Sequence, residues 1–401
     1  MSRAGAFHYS ELNAVRRCPQ KHKYAYVEGL KSKAEALNLK RGLWLHSMLQ
    51  ADALKRGLEH GSLLEVPEVI DVAGIDGPVT VNPDLGSLEG LVTSEASYPL
   101  SWKGMLQLLT EHSDYALLPE DVIEERYTVG GQDLPTACRN IMRGYLWQYR
   151  DVLPKRKPLL VEATWARTLE GEVPVDMEGR ADLVEINEKG MVCLVDWKST
   201  KGMPGQEFKL MESQRYIYLW GLEPVLAEHG LKVQMLAFDY LITSTPTKPK
   251  QNLPKKPKQP TKANPEPEQP TPNELKGELS AAKIKTTPLV YFEALKEYGL
   301  ELTDHHREVI NQLETDSDFY RRVDMPVNKK ALRTVLHETA SAARVADLFR
   351  QHPEAVYRNV DRSCDYMCDF QQLCNAELHG QDAETIKAHY YEPRHKGEEQ
   401  E

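Results

Sequence analysis

The strongest constraint on the fold of this chain is a group of short strand-like runs in its middle third. These runs are rich in β-branched residues or alternate apolar with polar residues, and turn-forming residues separate them. The predicted strands are 158–167, 174–186, 191–199 and 233–243. One predicted helix begins after Ser10, and four others cover 42–54, 104–112, 136–152 and 207–221. We therefore predict a mixed α/β core, with helices packed on one sheet.

The remainder of the 401-residue chain differs in character from this core. A stretch at 246–272 holds nine of the 25 prolines and almost no large apolar residues, which is typical of a linker or a disordered insertion. From 288 to 350 the pattern is helical. The predicted segments are N-terminal helices (1–60), a helical or irregular insertion (61–133), the core (134–243), a Pro/Lys-rich linker (244–285), a helical cysteine-bearing region (286–380) and a charged tail (381–401).

Charge and hydropathy limit the partners and the compartment. The net charge of −10 argues against a broadly basic surface, so any nucleic acid must be held by a local patch. One candidate is the basic stretch from Arg16 to Arg41, although solvation of a helix face explains it equally well. No apolar run is long enough to cross a membrane and no secretion signal is evident, so we expect a cytoplasmic protein with reduced thiols.

Two carboxylates and a lysine form the sharpest local feature. Asp182 lies towards the end of one predicted strand, and Asp196 follows fourteen residues later in Asp196-Trp197-Lys198, at the end of an apolar run. Adjacent strands joined by a tight turn would place both carboxylates at one end of the sheet, and Lys198 would share a face with Asp196. Such a set can hold Mg²⁺ or Mn²⁺ and can orient or deprotonate a water beside a phosphodiester.

Other residues are weaker candidates when each is taken alone. His46 lies on an early helix, where a packing or surface role is the commoner interpretation. Glu162 on the first predicted strand could approach the same metals, or it could be an ordinary exposed acid. Gln214 and Tyr218 are four residues apart and therefore share a helix face.

Four of the six cysteines form a second candidate site. Cys364, Cys368 and Cys374 are compactly spaced, and Cys18 stands far away before a proline. Four thiolates can bind zinc or an iron–sulfur cluster, and the spacing departs from the paired Cys-x₂-Cys of zinc ribbons. Zinc and free thiols remain alternatives to a cluster, whereas Cys193 reads as a core residue.

Taken in order, these elements resemble the RecB-like branch of the PD-(D/E)XK nucleases, especially members with an iron–sulfur cluster, such as AddB-type domains and CRISPR-associated exonucleases with phage relatives. The segment Ser10-Glu11-Leu12 with Cys18-Pro19 and Tyr24 is similar to the opening motif of that family. The other similar motifs are Gly42 to His46, Gly179 to Asp182, Asp196-Trp197-Lys198, Gln214 to Tyr218 and the cysteine triplet. The resemblance covers about 8–50, 134–242 and 290–380.

The resemblance implies a restriction-endonuclease-like sheet core and a role for each matching residue. It implies metal ligation by His46, Asp182 and Asp196, a catalytic Lys198, and DNA positioning or site support by Gln214 and Tyr218. It also implies that Cys18, Cys364, Cys368 and Cys374 bind a [4Fe–4S] cluster that joins the chain ends. Arg180 and Arg215, which lie beside these motifs, are candidates for DNA contact.

The expected function is metal-dependent cleavage of DNA, with single strands or DNA ends as substrate. An exonuclease that prefers single strands and acts in recombination, repair or replication is the leading interpretation. A structure-specific endonuclease and a non-catalytic DNA-binding or assembly protein are the alternatives. The sequence has no G-x-x-x-x-G-K-[ST] phosphate loop, so processive degradation of duplex DNA would need a separate helicase or recombinase partner.

Overall fold

The structure is a computed structural model that describes residues 5–33, 37–72, 74–75, 77–90, 97–129, 131–205, 211–279, 285–365 and 368–394. Its α-helices are α1 (Tyr9–Arg17), α2 (Pro19–His22), α3 (Leu37–His60), α4 (Trp102–His112), α5 (Glu120–Arg126), α6 (Leu134–Gln148), α7 (Gln214–Glu228), α8 (Pro272–Lys276), α9 (Pro288–Glu297), α10 (Asp304–Thr315), α11 (Lys329–Gln351), α12 (Gln371–Leu378) and α13 (Ala383–Tyr390). Its strands are β1 (Leu30–Ser32), β2 (Val69–Ile70), β3 (Val79–Asn82), β4 (Ser87–Gly90), β5 (Ser97–Pro99), β6 (Thr128–Val129), β7 (Gln132–Asp133), β8 (Lys157–Leu169), β9 (Val175–Ile186), β10 (Val192–Thr200), β11 (Met235–Ile242), β12 (Tyr320–Pro326) and β13 (Tyr391–Pro393).

The central sheet has five strands in the order β12-β11-β10-β9-β8. Strands β8, β9 and β10 are consecutive and antiparallel, β10 and β11 are parallel, and β12 is antiparallel to β11. Helix α7 makes the crossover between β10 and β11 that a parallel pair requires. The prediction of a mixed α/β core is confirmed, and the four predicted strands lie within two residues of their observed ends.

The helices cover both faces of this sheet. On one face, Leu45 and Met48 of α3 pack against Val195 and Trp197 of β10. On the other face, Ile217 of α7 packs with Leu194, Val184 and the α11 residues Ala343 and Phe349. Residues on β10 therefore alternate between two buried layers, which explains why this strand is almost continuously apolar. The predicted helix start near residue 207 lies outside the described residues, and the described helix begins at Gln214.

The prediction that 288–350 is helical throughout was wrong in one place. Residues Tyr320–Pro326 form the edge strand β12. Their charged residues resemble a solvated helix face in sequence, but Arg322 is buried against Glu185 of β9 and Asp239 of the adjacent strand β11, at 2.8 and 3.5 Å. Ion pairs across the sheet therefore compensate for the burial of Arg322. A local hydrophobic pattern in the sequence does not reveal burial of this kind.

Two further segments complete the fold. In the predicted insertion, β2 to β5 form a small antiparallel sheet whose buried residues join those of α3 and α4 in one core. Helix α4 begins where predicted to within two residues, after Ser101, whose hydroxyl accepts from Gly104 N at 3.1 Å. Residues 246–271 run mostly as exposed, irregular backbone up to α8. Within the residues described, no helix is long and apolar enough to span a membrane.

Candidate metal centre and cysteine region

A fork in the central sheet brings the predicted acidic residues together. Strands β9 and β10 pair only as far as Leu183 opposite Val195. Beyond this point β9 continues beside β8, and β10 continues beside β11. Asp182 and Asp196 are the first residues past the last paired positions. The two carboxylates therefore lie where the strands diverge, as the hairpin pattern in the sequence predicts.

Three side chains converge on one side of the fork. Ligand atoms of His46, Glu162 and Asp182 all lie within 4.8 Å of one another, and Nδ1 of His46 is 3.9 Å from Oδ2 of Asp182. The pairing on either side of Glu162 places it opposite Asp182. Glu162 has a φ of 50°, which is costly for a residue with a side chain. Because backbone strain of this kind concentrates at functional sites, its position supports a role for Glu162 beyond that of an exposed strand acid.

A chain of hydrogen bonds links the lysine to the following helix. Nζ of Lys198 is 2.8 Å from Oδ2 of Asp196 and donates to Oε1 of Gln214 at 2.7 Å. Nε2 of Gln214 in turn donates to the hydroxyl of Tyr218 at 2.7 Å. Helix α7 therefore fixes the Lys198 side chain beside Asp196. The backbone N–H of Trp197 donates to Asp182 at 2.6 Å, a contact that no sequence signal could have revealed.

The two arginines near the fork have different environments. Arg180 Nε is 2.9 Å from Oε2 of Glu162, and its Nη1 is 3.5 Å from Asp71. Arg215 has no exposed surface, and its guanidinium lies 3.6 Å from the ring centre of Phe238, the residue paired with Asp196. Arg215 is therefore packed inside the core next to the strand that carries Asp196.

Burial also shapes the protonation of the site. It raises the pKa of both Asp182 and Asp196 to about 6, against the opposing effect of Lys198. Burial, and then the charge of Lys198, lowers the pKa of His46 to about 4, so its imidazole is neutral at pH 7 and able to bind a metal. Burial opposes the charge on Lys198, but Asp196 and Asp182 outweigh it and raise the pKa of the ammonium.

These shifts make the metal-free site costly above pH 6. A carboxyl whose pKa is higher in the folded than in the unfolded protein favours folding when protonated, and that advantage is lost as the pH rises from about 4 through 6. We expect Asp182→Asn, which keeps an acceptor for Trp197 N–H, to stabilise the metal-free protein at pH 8 by on the order of 1–3 kcal/mol.

Thermal melting in EDTA measures this effect. The variant should melt a few degrees above the parent at pH 8, and the difference should shrink towards pH 4–5. Saturating Mn²⁺ should raise the melting temperature of the parent and have much less effect on the variant. A variant that melts below the parent at every pH would show that this carboxylate is not a source of strain.

Residues from both chain ends form the cysteine region. Tyr24, Phe370, Leu373 and Tyr391 are buried in one cluster, and half-buried Cys368 and Cys374 pack against it. Strand β1 pairs with β13 next to this cluster. On the Cys18 side, Gln20 N donates to Tyr357 O at 3.2 Å, and Asn359 Nδ2 donates to Arg17 O at 2.8 Å. The fold thus brings the Cys18 segment to the segment that carries the other three cysteines.

The environment of the cysteines fits thiolate ligands. Arg358 Nε donates to Sγ of Cys374 at 3.3 Å, so a cation lies beside this sulfur. Burial raises the pKa of Cys368, which a bound metal would offset. Among the described residues, His46, Glu162 and Asp182 are the three whose ligand atoms all lie within 4.8 Å of one another. No three cysteine sulfurs in this part of the chain lie as close together. Cys138 and Cys193 are fully buried elsewhere in the core.

A forked mixed sheet with two carboxylates, a histidine and a lysine offers the donors with which metal-dependent phosphodiester hydrolases hold a metal ion and orient a water. The family model of the PD-(D/E)XK nuclease superfamily matches residues 6–84 and 103–375. The chain belongs to the PD-(D/E)XK nuclease superfamily, whose members generally use Mg²⁺ or Mn²⁺.

A crystal structure of SSO0001 aligns with 13% identity over 55% of this chain and 61% of that one, with a TM-score of 0.23. No curated protein matches the sequence.

Proposed function

We propose that this protein is a metal-dependent deoxyribonuclease that acts as an exonuclease with a preference for single-stranded DNA, in recombination, repair or replication. The observation that carries the proposal is the sheet fork, where ligand atoms of His46, Glu162 and Asp182 lie together and Asp196, the next residue position across the fork, is paired with Lys198. A non-catalytic relative would have no need to keep two buried carboxylates that destabilise the fold without a metal.

The donor set suits Mg²⁺ or Mn²⁺. Asp182, Asp196 and Glu162 offer oxygen ligands, and His46 offers a neutral nitrogen. The bound metal would polarise the phosphodiester and lower the pKa of a water. In our proposal, the ammonium of Lys198 donates a hydrogen bond to the attacking water or to a phosphoryl oxygen. It also neutralises charge that develops on phosphorus.

Gln214 and Tyr218 support this arrangement from helix α7. By accepting a hydrogen bond from Lys198, Gln214 holds one ammonium proton and leaves others for the substrate. Tyr218 fixes the amide of Gln214 and thereby the direction of its oxygen. We assign both as positioning residues for Lys198.

We further propose that Cys18, Cys364, Cys368 and Cys374 bind an iron–sulfur cluster of the [4Fe–4S] type. The pairing of β1 with β13 supports this proposal, as do Cys368 and Cys374 packed on the shared apolar cluster and the hydrogen bonds that join the segment around Cys18 to Tyr357 and Asn359. Its role would be structural, holding the chain ends beside the nuclease core.

End-labelled oligonucleotides test the proposed activity. Single-stranded, blunt duplex and circular DNA are incubated with Mg²⁺ or Mn²⁺. We expect stepwise shortening of linear single strands, slower loss of duplex and little cleavage of circles. Rapid cutting of circular DNA would identify an endonuclease instead, and no cleavage of any substrate would contradict the nuclease proposal.

The histidine sets an expectation for metal choice. Because imidazole is a softer ligand than carboxylate, Mn²⁺ should support activity at least as well as Mg²⁺. Loss of a residue that only supports a metal ligand commonly weakens metal binding about 10–100-fold. Because His46 is proposed as a ligand itself, His46→Ala should raise the Mn²⁺ concentration for half-maximal activity by at least about tenfold. His60→Ala, an exposed histidine on the same helix, serves as the control. An unchanged Mn²⁺ titration for His46→Ala would make His46 a packing residue.

A further inference from the structure

A cavity separate from the metal centre lies next to the nuclease core. It has a volume of about 260 Å³. It lies among α3, α6, α9 and the ends of β11 and β12, because residues of all five elements line it. Its lining combines an apolar wall, formed by residues such as Ile141 and Leu289, with the hydroxyl and cationic side chains of Thr243, Ser244 and Arg41.

Arg41 is an unusual residue to find in this cavity. It belongs to the basic N-terminal stretch that the sequence presents as a surface patch, yet it is only 3% exposed. Its Nη2 donates to Asn38 Oδ1 at 3.0 Å, and its Nε has no hydrogen-bond partner among the described residues. No carboxylate in the described part of the chain forms an ion pair with it. A buried cation that lacks an anionic partner is strongly unfavourable.

The neighbouring groups do not supply the missing negative charge. Burial raises the pKa of the Cys138 thiol to about 12, so Cys138 stays neutral beside Arg41. The other charged groups at the cavity form pairs at its rim, Arg143 with Glu293 and Lys248 with Glu297. Arg41 is therefore the uncompensated charge of this cavity. A second polar atom, Oγ of Ser244, is also buried and has no hydrogen-bond partner among the described residues.

The cavity lies close to the metal centre along two elements. Arg41 and His46 are on the same helix, five residues or about 8 Å apart along its axis. The space beside Gly42 is so narrow that an added Cβ would lie 2.8 Å from Oγ of Ser199 on β10. Ser244 follows the end of β11, where Thr243 N donates to Thr200 O, four residues beyond Asp196. At 3.3 Å per β-strand residue this is about 13 Å.

We propose that this cavity is a binding site for the terminal phosphate of a nucleotide, with Arg41 and Ser244 as its principal donors. A phosphomonoester supplies the charge that Arg41 lacks, and its oxygens accept from both orphaned groups. The apolar wall accommodates the attached sugar. The source is either a phosphorylated DNA end or a released mononucleotide. The choice of a nucleotide rests on the proposed nuclease function, whereas the anion site itself does not.

Equilibrium binding without catalysis tests the proposal. The full-length Asp196→Asn protein in EDTA is titrated with three labelled single strands of one sequence, carrying a 5′-phosphate, a 3′-phosphate or hydroxyls at both ends. Deoxyadenosine monophosphate and inorganic phosphate are titrated separately. Arg41→Gln and the milder Ser244→Ala are introduced into the same background. Arg150→Gln, which removes a paired guanidinium from a different cavity, is the control.

We expect one end-phosphorylated strand to bind about tenfold more tightly than the hydroxyl strand. Arg41→Gln should abolish this gain, Ser244→Ala should reduce it, and the control should keep it. If only the mononucleotide binds in an Arg41-dependent manner, the source is the released product. Equal affinity for all strands, together with no Arg41-dependent binding of mononucleotide or phosphate, would overturn the site. Because no cleavage is measured, that result would be distinct from failure of the nuclease proposal.

Discussion

Asp196→Ala and Lys198→Ala are each expected to abolish DNA cleavage while leaving DNA binding largely intact. Asp196 is buried at the sheet fork, and Lys198 lies 2.8 Å from it, held there by Gln214. Removal of a single donor to the transition state commonly costs about 10²–10³-fold in rate. Loss of a metal ligand or of this ammonium should therefore lower the cleavage rate by on the order of 10³-fold or more.

Single-turnover cleavage and filter binding measure the two properties separately. The matched controls are Lys189→Ala, an exposed lysine in the turn of the same hairpin, and Asp84→Ala, an exposed aspartate outside the central sheet. Both should cleave like the parent. Asp196→Ala leaves Lys198 with one partner fewer and could affect the fold. Melting curves therefore check that each variant is folded. Full activity in folded Asp196→Ala or Lys198→Ala would remove the metal-site assignment.

The Gln214→Ala variant separates positioning from chemistry. If Gln214 acts by directing Lys198, its loss should slow cleavage by less than the loss of Lys198. Combining the two substitutions should add little to Lys198→Ala alone, because residues that act as one unit are not additive.

The sequence predicts the part of the fold in which local pattern and burial agree. Strands β8 to β11 are apolar or alternating, and their hairpin register follows from the turn between them, so Asp182 and Asp196 could be placed together before the structure was known. Strand β12 was missed because its burial depends on ion pairs between Arg322 and Asp239 or Glu185, residues that are far apart in sequence.

The sequence pattern also fails to reveal some features of the metal centre and of the neighbouring helix α3. The positive φ of Glu162 and the backbone donor of Trp197 leave no mark in the residue types. Arg41 and Lys40 read as surface charges in the sequence, yet both are 3% exposed. Long flexible cations are usually solvated, so their burial becomes visible only when the packing of α3 against its neighbours is known.

The second large expected effect is on stability and concerns the proposed iron–sulfur cluster. Cys18 and Cys364 are 346 residues apart in sequence. In the chain-entropy account, closing so long a loop restricts the unfolded chain by about 5–6 kcal/mol, an upper figure because the ends also pair through β1 and β13. Removal of one ligand should therefore loosen the contact between the chain ends and lower the melting temperature by several degrees.

Protein prepared without oxygen provides the test. We expect it to be brown and to contain iron and acid-labile sulfide in a ratio near one to one. Cys18→Ala and Cys374→Ala should lose the colour and fold poorly. Cys193→Ala, which removes a fully buried thiol from the core of the sheet, should keep the colour. Because oxygen can destroy such clusters, the measurement is made on anaerobic samples only. Stoichiometric zinc without iron or sulfide in those samples would contradict the cluster. The nuclease proposal would stand, because it rests on the carboxylates at the sheet fork and uses no cysteine.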